Sequence, residues 1–179
     1  MNKVLVLGLG MLTSVSILNA NWMGALTPDK KVGSASISIG HIKIVEDVTP
    51  YVTVDLGGNY YYDNGLMWGA NFGLGYVHNP SDFTDKKTMV ELDGKFKLGY
   101  SFGETARGIG VYGIMDVAYL LYNDGDFNSA SGFGYGIGTE YRFENDYLVT
   151  ISYTFTTMTP DTGAKFDYNK ALVGVGYTW

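Results

Sequence analysis

The sequence has no cysteine, only four prolines and two histidines, and only 17% charged residues among its 179 positions. Without cysteine the chain has no disulfide, no thiolate metal site and no cysteine nucleophile. Its 12 Lys and Arg residues are outnumbered by 18 Asp and Glu residues, so it lacks the basic surplus that binds nucleic-acid phosphates. No stretch reaches the roughly 18 consecutive apolar residues of a transmembrane helix.

Glycine and tyrosine are abundant, with 25 and 15 residues. A chain of this length is expected to form one domain. Its aromatic content of 15% excludes a disordered chain.

The first 20 residues have the layout of a secretory signal peptide. Lys3 carries a positive charge before the apolar run 4–12, which is too short to span a bilayer, and small and polar residues follow up to Ala20. We expect cleavage after Ala20, with Ser16 as the alternative site. The chain is therefore predicted to be exported.

The rest of the chain alternates between apolar and polar or small residues with the period of two that is typical of β-strands. A slip of this phase at Gly40-His41 predicts a β-bulge. Eight segments follow the pattern, near 34–45, 51–62, 66–77, 89–103, 109–122, 133–143, 147–157 and 168–179. Tight turns after segments two, four and six alternate with longer connections, around 78–87, 123–132 and 158–167. The predicted fold is an all-β, eight-stranded antiparallel up-and-down barrel over residues 34–179, after a polar periplasmic lead-in at 21–33.

Side-chain volume predicts which face of this barrel points inward. One set of alternating positions is uncharged and rich in Phe, Tyr and Trp, whereas the opposite set is rich in Gly, Ser and Thr. The interior of an eight-stranded barrel has room only for side chains or one small ligand, so it cannot hold the aromatic set. The apolar face must point outward, which predicts a transmembrane β-barrel in contact with lipid.

The aromatic residues of the apolar face lie near the ends of the segments, as in the two girdles of a membrane barrel. The predicted girdle at the tight-turn end contains Tyr60, Tyr62, Trp68, Tyr100, Phe102, Tyr141, Phe143, Tyr147, Tyr177 and Trp179. The predicted girdle at the long-loop end contains Tyr76, Tyr119, Phe133, Tyr135, Tyr153 and Phe155.

The last segment has apolar residues at every second position back from the terminal tryptophan: Val173, Val175, Tyr177 and Trp179. This pattern resembles the carboxy-terminal strand that outer-membrane barrels present to their assembly machinery. Together with the signal peptide and the eight segments, it makes the chain similar to the small barrels of the OmpX, Opa and OmpA transmembrane-domain group. The resemblance implies a monomer in the bacterial outer membrane, with membrane lipid, lipopolysaccharide and the barrel-assembly machinery as partners.

The inward set includes charges of both signs. The predicted positive members are Lys43, Lys95, Lys97, Arg142 and Lys170, and the negative ones are Asp55, Glu91, Asp93, Asp116 and Glu140. Isolated charges in so narrow a space would be costly, whereas paired and hydrogen-bonded charges are tolerable. The pattern therefore predicts a salt-bridge network that plugs the barrel. The alternative is a narrow polar path for water or small ions.

Catalytic chemistry has one candidate, near the long-loop rim. His78 precedes Ser81 and Asp82, which could supply a base, a nucleophile and an orienting acid. Barrel enzymes that modify lipid A place such residues at this rim, but the spacing matches none of their motifs. We therefore expect no catalytic residue, no cofactor and no metal site. The expected role is structural or one of surface interaction, with a narrow channel and a lipid-A-modifying enzyme as alternatives.

Overall fold

The computed structural model describes residues 28–44, 47–78, 88–103, 106–124, 126–161 and 164–179. The predicted signal peptide lies outside these residues. Eight strands are present: β1 (Lys30–Ile44), β2 (Asp47–Tyr61), β3 (Leu66–His78), β4 (Thr88–Phe102), β5 (Gly108–Asp124), β6 (Asp126–Arg142), β7 (Tyr147–Pro160) and β8 (Phe166–Thr178). Among the described residues, no helix has the length and apolar character needed to cross a membrane.

Each strand pairs antiparallel with the next one in sequence, and β8 pairs with β1 to close the barrel. The predicted up-and-down topology is therefore confirmed. Following the register from Gly33 of β1 through all eight strands leads back to β1 at Lys43. This offset of ten positions is the shear, and it requires the strands to tilt against the barrel axis.

Strand β1 differs from its prediction because its alternation is unbroken. The register between β1 and β2 runs without interruption from Lys30 to Ile44, so the predicted bulge at Gly40-His41 is wrong. Ile42 and Ile44 consequently point into the barrel and are buried. The strand also begins at Lys30, four residues before the boundary predicted from the sequence.

The connections at the predicted long-loop end are shorter than expected. Strands β5 and β6 continue to Asp124 and Asp126, and β7 continues to Pro160. The predicted loop at 123–132 is therefore mainly a β-hairpin, because residues with weak alternation still pair when the neighbouring strand offers a partner. Residues 79–87, the longest connection, lie outside the described part of the chain.

The outer face is mainly apolar, with exposed residues such as Ile39, Ile137 and Val175. Most residues of the predicted girdles lie on it and are exposed or half-buried. Tyr60 and Tyr62 are buried instead. Tyr60 stacks on the Trp68 ring at 4.3 Å, and the Trp68 Nε1–H donates to the Tyr62 hydroxyl at 3.1 Å, so these three side chains cover one another.

The inner face is layered along the barrel axis. Apolar side chains fill the loop end, and most of the charged residues lie between this layer and the tight turns. The loop-end layer consists of Ile42, Ile44, Tyr51, Val77, Met89, Ala118, Leu120, Tyr122, Ala130, Met158, Phe166, Tyr168 and Leu172. A second apolar cluster extends from the tight turns to the middle of the barrel and consists of Val32, Tyr61, Met67, Ala106, Tyr112 and Ile114. The loop-end layer thus shields the charged residues from that mouth of the barrel, whereas Arg142, the last residue of β6, lies at the turn end.

Candidate functional site: the charged interior

Lys170 on β8 is the centre of the upper group of charges, just below the loop-end layer. Its Nζ lies 2.7 Å from Oε1 of Glu91, 3.0 Å from Oδ2 of Asp93 and 2.9 Å from Oδ2 of Asp116. The lysine and all three acids are at most 2% exposed. Because β4 and β5 lie across the barrel from β8, these contacts span the lumen. The ammonium group occupies the position that a cation would take among three carboxylates.

Lys95 extends the upper group to a fourth strand. Its Nζ lies 2.6 Å from Oδ1 of Asp55 on β2 and 3.1 Å from Oδ2 of Asp93 on its own strand. Two acids that would otherwise repel each other thus share one cation. A Cβ on Gly73, opposite Asp55 and Asp93 in the sheet, would collide with Oδ1 of Asp93. The glycine is therefore required for the two carboxylates to approach.

The lower group of charges, near the tight turns, contains Lys97, Glu140 and Arg142. Nε of Arg142 lies 3.2 Å from Oε1 of Glu140, but the geometry is not that of a hydrogen bond, and no guanidinium nitrogen has a hydrogen-bond partner among the described residues. Lys97 Nζ is 3.9 Å from Oε2 of Glu140. The Arg142 guanidinium lies over the Tyr61 ring, 3.8 Å from its centroid, a favourable cation–π arrangement.

Nine of the ten residues predicted for the interior network lie inside the barrel and are buried. Lys43 is the exception and is corrected by the structure: it is exposed on the outer face. The reason is the missing bulge, because the uninterrupted alternation of β1 turns Ile42 and Ile44 inward and Lys43 outward. The described interior thus holds five acids and four bases.

The sequence reasoning missed the aromatic and hydroxyl partners of the acids. The hydroxyl of Tyr168 donates to Oε2 of Glu91 at 2.9 Å, and the hydroxyl of Tyr61 donates to Oε1 of Glu140 at the same distance. Thr156 donates to Oδ2 of Asp116 at 3.0 Å. The sequence does indicate the position of Tyr168, because it is two residues from Lys170 on β8 and therefore lies on the same inner face. The volume argument places aromatic residues on the outer face and overlooks these inward tyrosines.

One small cavity, with a volume of about 30 Å³, lies between the two groups of charges. Charged residues of β2 and β4 form one wall, and small hydroxyl residues of β1 and β7 form the other. Its lining includes Asp55, Lys95 and Lys97 and, opposite them, Ser36, Ser38, Thr150 and Ser152. The volume suffices for ordered water and excludes a larger ligand.

No cluster that could hold a metal ion occurs among the described residues. The catalytic candidate at the rim lies outside the part of the chain that the structure describes: Ser81 and Asp82 are not described, and neither is the side chain of His78. His41 lies on the outer face. The site that the structure presents is therefore the network of charges in the lumen.

The family model of the outer membrane protein β-barrel domain matches residues 8–178. The chain belongs to this family. Its closed barrel of eight antiparallel strands is a membrane-spanning one, and its location is the outer membrane. No curated protein sequence matches the chain.

Solved structures share the fold of this outer membrane β-barrel at low sequence identity. One is Ail, the attachment invasion locus protein of Yersinia pestis, with a TM-score of 0.53 and 12% identity, covering 83% of this chain and 98% of that one. Another is Neisserial surface protein A, with a TM-score of 0.53 and 10% identity, covering 85% of this chain and 99% of that one. At these identities the similarity establishes the fold alone.

Proposed function

We propose that this barrel has a structural or surface-interaction role in the outer membrane and that its interior is closed to ions. The observation that carries the proposal is the position of Lys170, whose ammonium group is held by Glu91, Asp93 and Asp116 across the lumen. An ion that entered here would have to break a buried group of charges, and removing one partner from such a group costs about 3–5 kcal/mol.

The apolar layer above Lys170 supports the same proposal. Ile42, Leu120 and Met158 are fully buried there and belong to one continuous cluster. A hydrated ion would lose its water at this layer without finding a polar group to replace it. The lumen therefore has both an electrostatic and an apolar obstacle.

Recordings in planar lipid bilayers test this function. We expect the refolded protein to give no steady conductance, and Lys31→Ala, a change on the outer face, to behave identically. A steady conductance in the wild type that disappears in Lys95→Ala or Glu91→Ala would contradict the plug, because it would identify the charged network as the lining of an ion path.

A narrow path for water or small ions is the second candidate, and the cavity beside Ser36, Ser38 and Ser152 favours it. Its hydroxyl wall could bind ordered water. The same recordings separate the closed interior from a path for small ions, since only an ion path gives conductance in the wild type.

Export and assembly complete the proposal. We propose that residues 1–20 are removed as a signal peptide. We also propose that the barrel-assembly machinery recognises the exposed outer face at the end of the chain, formed by Val173, Val175, Tyr177 and Trp179. The folded protein is proposed to be a non-enzymatic monomer that contacts membrane lipid and lipopolysaccharide.

A further inference from the structure

The outer face of β1 changes from apolar to polar towards the loop end. Ile37 and Ile39 are exposed apolar residues there, at 49% and 65% of their surface, and the next two outward positions are His41 and Lys43, which are also exposed. Neither side chain has an ion pair or hydrogen bond with any other residue that the structure describes. Two polar side chains thus stand at the border of the lipid-facing band.

The register brings a third polar residue beside them. Lys43 is directly opposite Asn169 of β8, and His41 is opposite Ala171. Side chains of directly opposed residues lie about 5 Å apart on the same face of a sheet. His41, Lys43 and Asn169 therefore form one patch, named here the rim patch, and the small Ala171 lies opposite His41.

The aromatic girdle is interrupted at the rim patch. The outward residues at this height are aromatic on β3, β5, β6 and β7, namely Tyr76, Tyr119, Phe133 and Phe155. The outward residue of β4 at this height is Val90. On the three adjacent strands β8, β1 and β2 the outward residues are not aromatic either, which makes this the widest gap, and the patch is flanked by Pro50 on one side and Phe155 on the other. Girdle aromatics occupy the level of the lipid headgroups, so the gap places cationic and amide donors at that level.

Between the patch and the middle of the barrel, the outer surface of β1 and β8 is aliphatic and can contact acyl chains. Ile39 and Val173 pair across β1 and β8, and Ile37 pairs with Val175, and all four are about half exposed or more. A molecule with a phosphate above and hydrocarbon below would contact both parts. Asp167, the next outward residue of β8 towards the loops, is exposed and limits the patch on that side.

We infer that the rim patch binds a phosphate group of lipopolysaccharide in the outer leaflet, an inference that rests on the proposed contact with lipopolysaccharide, with Lys43 as the cation and His41 and Asn169 as hydrogen-bond donors. Outer-membrane barrels have their longer loops on the extracellular side. The longest connection, residues 79–87, is at the same end of the barrel as the patch, so the patch lies at the level of the outer leaflet. A lysine near a membrane surface attracts anionic headgroups, and a phosphate oxygen accepts from all three side chains.

The test uses full-length mature protein refolded in detergent, with native mass spectrometry to measure the fraction of barrels that carry a lipid. The double variant His41→Gln/Lys43→Gln is compared with wild type and with Lys31→Gln, an exposed lysine on the same strand and face, roughly 40 Å away at the turn end. Each protein is offered bisphosphorylated lipid A, enzymatically dephosphorylated lipid A, and phosphatidylglycerol.

We expect wild type and Lys31→Gln to prefer bisphosphorylated lipid A over the dephosphorylated form, and the double variant to bind it about five-fold less well. Equal binding of lipid A by the double variant and wild type would overturn the inference. So would phosphatidylglycerol binding as strong as that of lipid A, because the occupant would then be any anionic lipid. Heat-modifiability on gels verifies that each variant is folded, and Lys43→Gln alone replaces the double variant if it is not.

Discussion

Lys170 and Arg142 are both buried cations on the inner wall of the barrel, but their surroundings differ. Lys170 has three carboxylates within 3.0 Å, whereas Arg142 is paired with one acid among the described residues, Glu140, which also lies near Lys97. The upper group, including Lys95 and Asp55, holds four acids and two bases, and the lower group holds one acid and two bases. The upper group is thus held together by ion pairs, and the lower one depends more on the Tyr61 ring.

The comparison predicts a difference in stability. A buried charge is stabilising only when its partners are close and hydrogen-bonded, and the penalty for removing a partner grows with the number of charges left unpaired. The first two predictions below follow from this reasoning, and the third tests how closely the acids of the upper group are packed.

Lys170→Met should have the largest effect. It leaves Glu91, Asp93 and Asp116 buried without their shared cation, and we expect a loss of about 3–5 kcal/mol in the free energy of unfolding. Urea unfolding of the refolded barrel in lipid vesicles, followed by tryptophan fluorescence, measures it. Acidic pH should shrink the deficit, because protonation removes the repulsion among the three carboxylates. A deficit independent of pH would contradict this explanation.

Arg142→Met should cost less, about 1–2 kcal/mol, because its guanidinium makes no hydrogen bond with the described residues and a methionine can still contact the Tyr61 ring. The same unfolding assay gives the value. If this change proved as damaging as Lys170→Met, the proposed difference between the two groups would be refuted. Lys31→Met on the outer face serves as the control for both variants.

Gly73→Ala should have an effect of about 1–3 kcal/mol, from overpacking. Its added methyl group would collide with Oδ1 of Asp93 and lie 2.9 Å from Oδ1 of Asp55. The matched control is Gly94→Ala, on the neighbouring strand, where an added Cβ meets nothing within 4 Å. We expect the control to be close to neutral in vesicle unfolding. Equal behaviour of the two glycines would show that the acids of the upper group can move apart without loss.

The strand pattern was predictable because a closed barrel with one lipid-facing side imposes a strict period of two on the sequence. Eight strands, their order and the outward apolar face could all be read from it. The prediction is wrong in β1, where the period of two and the rule that apolar residues face outward disagree. The rule requires Ile42 and Ile44 to face outward, which needs a bulge and turns Lys43 into the lumen, whereas the structure keeps the period of two.

The charge network was only partly accessible from the sequence. The alternation of inward and outward positions along each strand identified the buried acids and bases, because each of them lies on the same face as neighbouring polar residues. It could not say that Lys170 reaches across the lumen to β4 and β5, since contacts across a barrel depend on its shear and diameter rather than on pairing between neighbours.

By itself, then, the sequence determined the barrel, its strand order and the identity of most inward charges, because alternation is a local property of each strand. Only the tertiary structure decided which charges meet, that an apolar layer closes the loop end, and that Lys43 lies on the outer face. Those features depend on the register of eight strands around one closed ring, where a shift of a single residue exchanges the inner and outer faces.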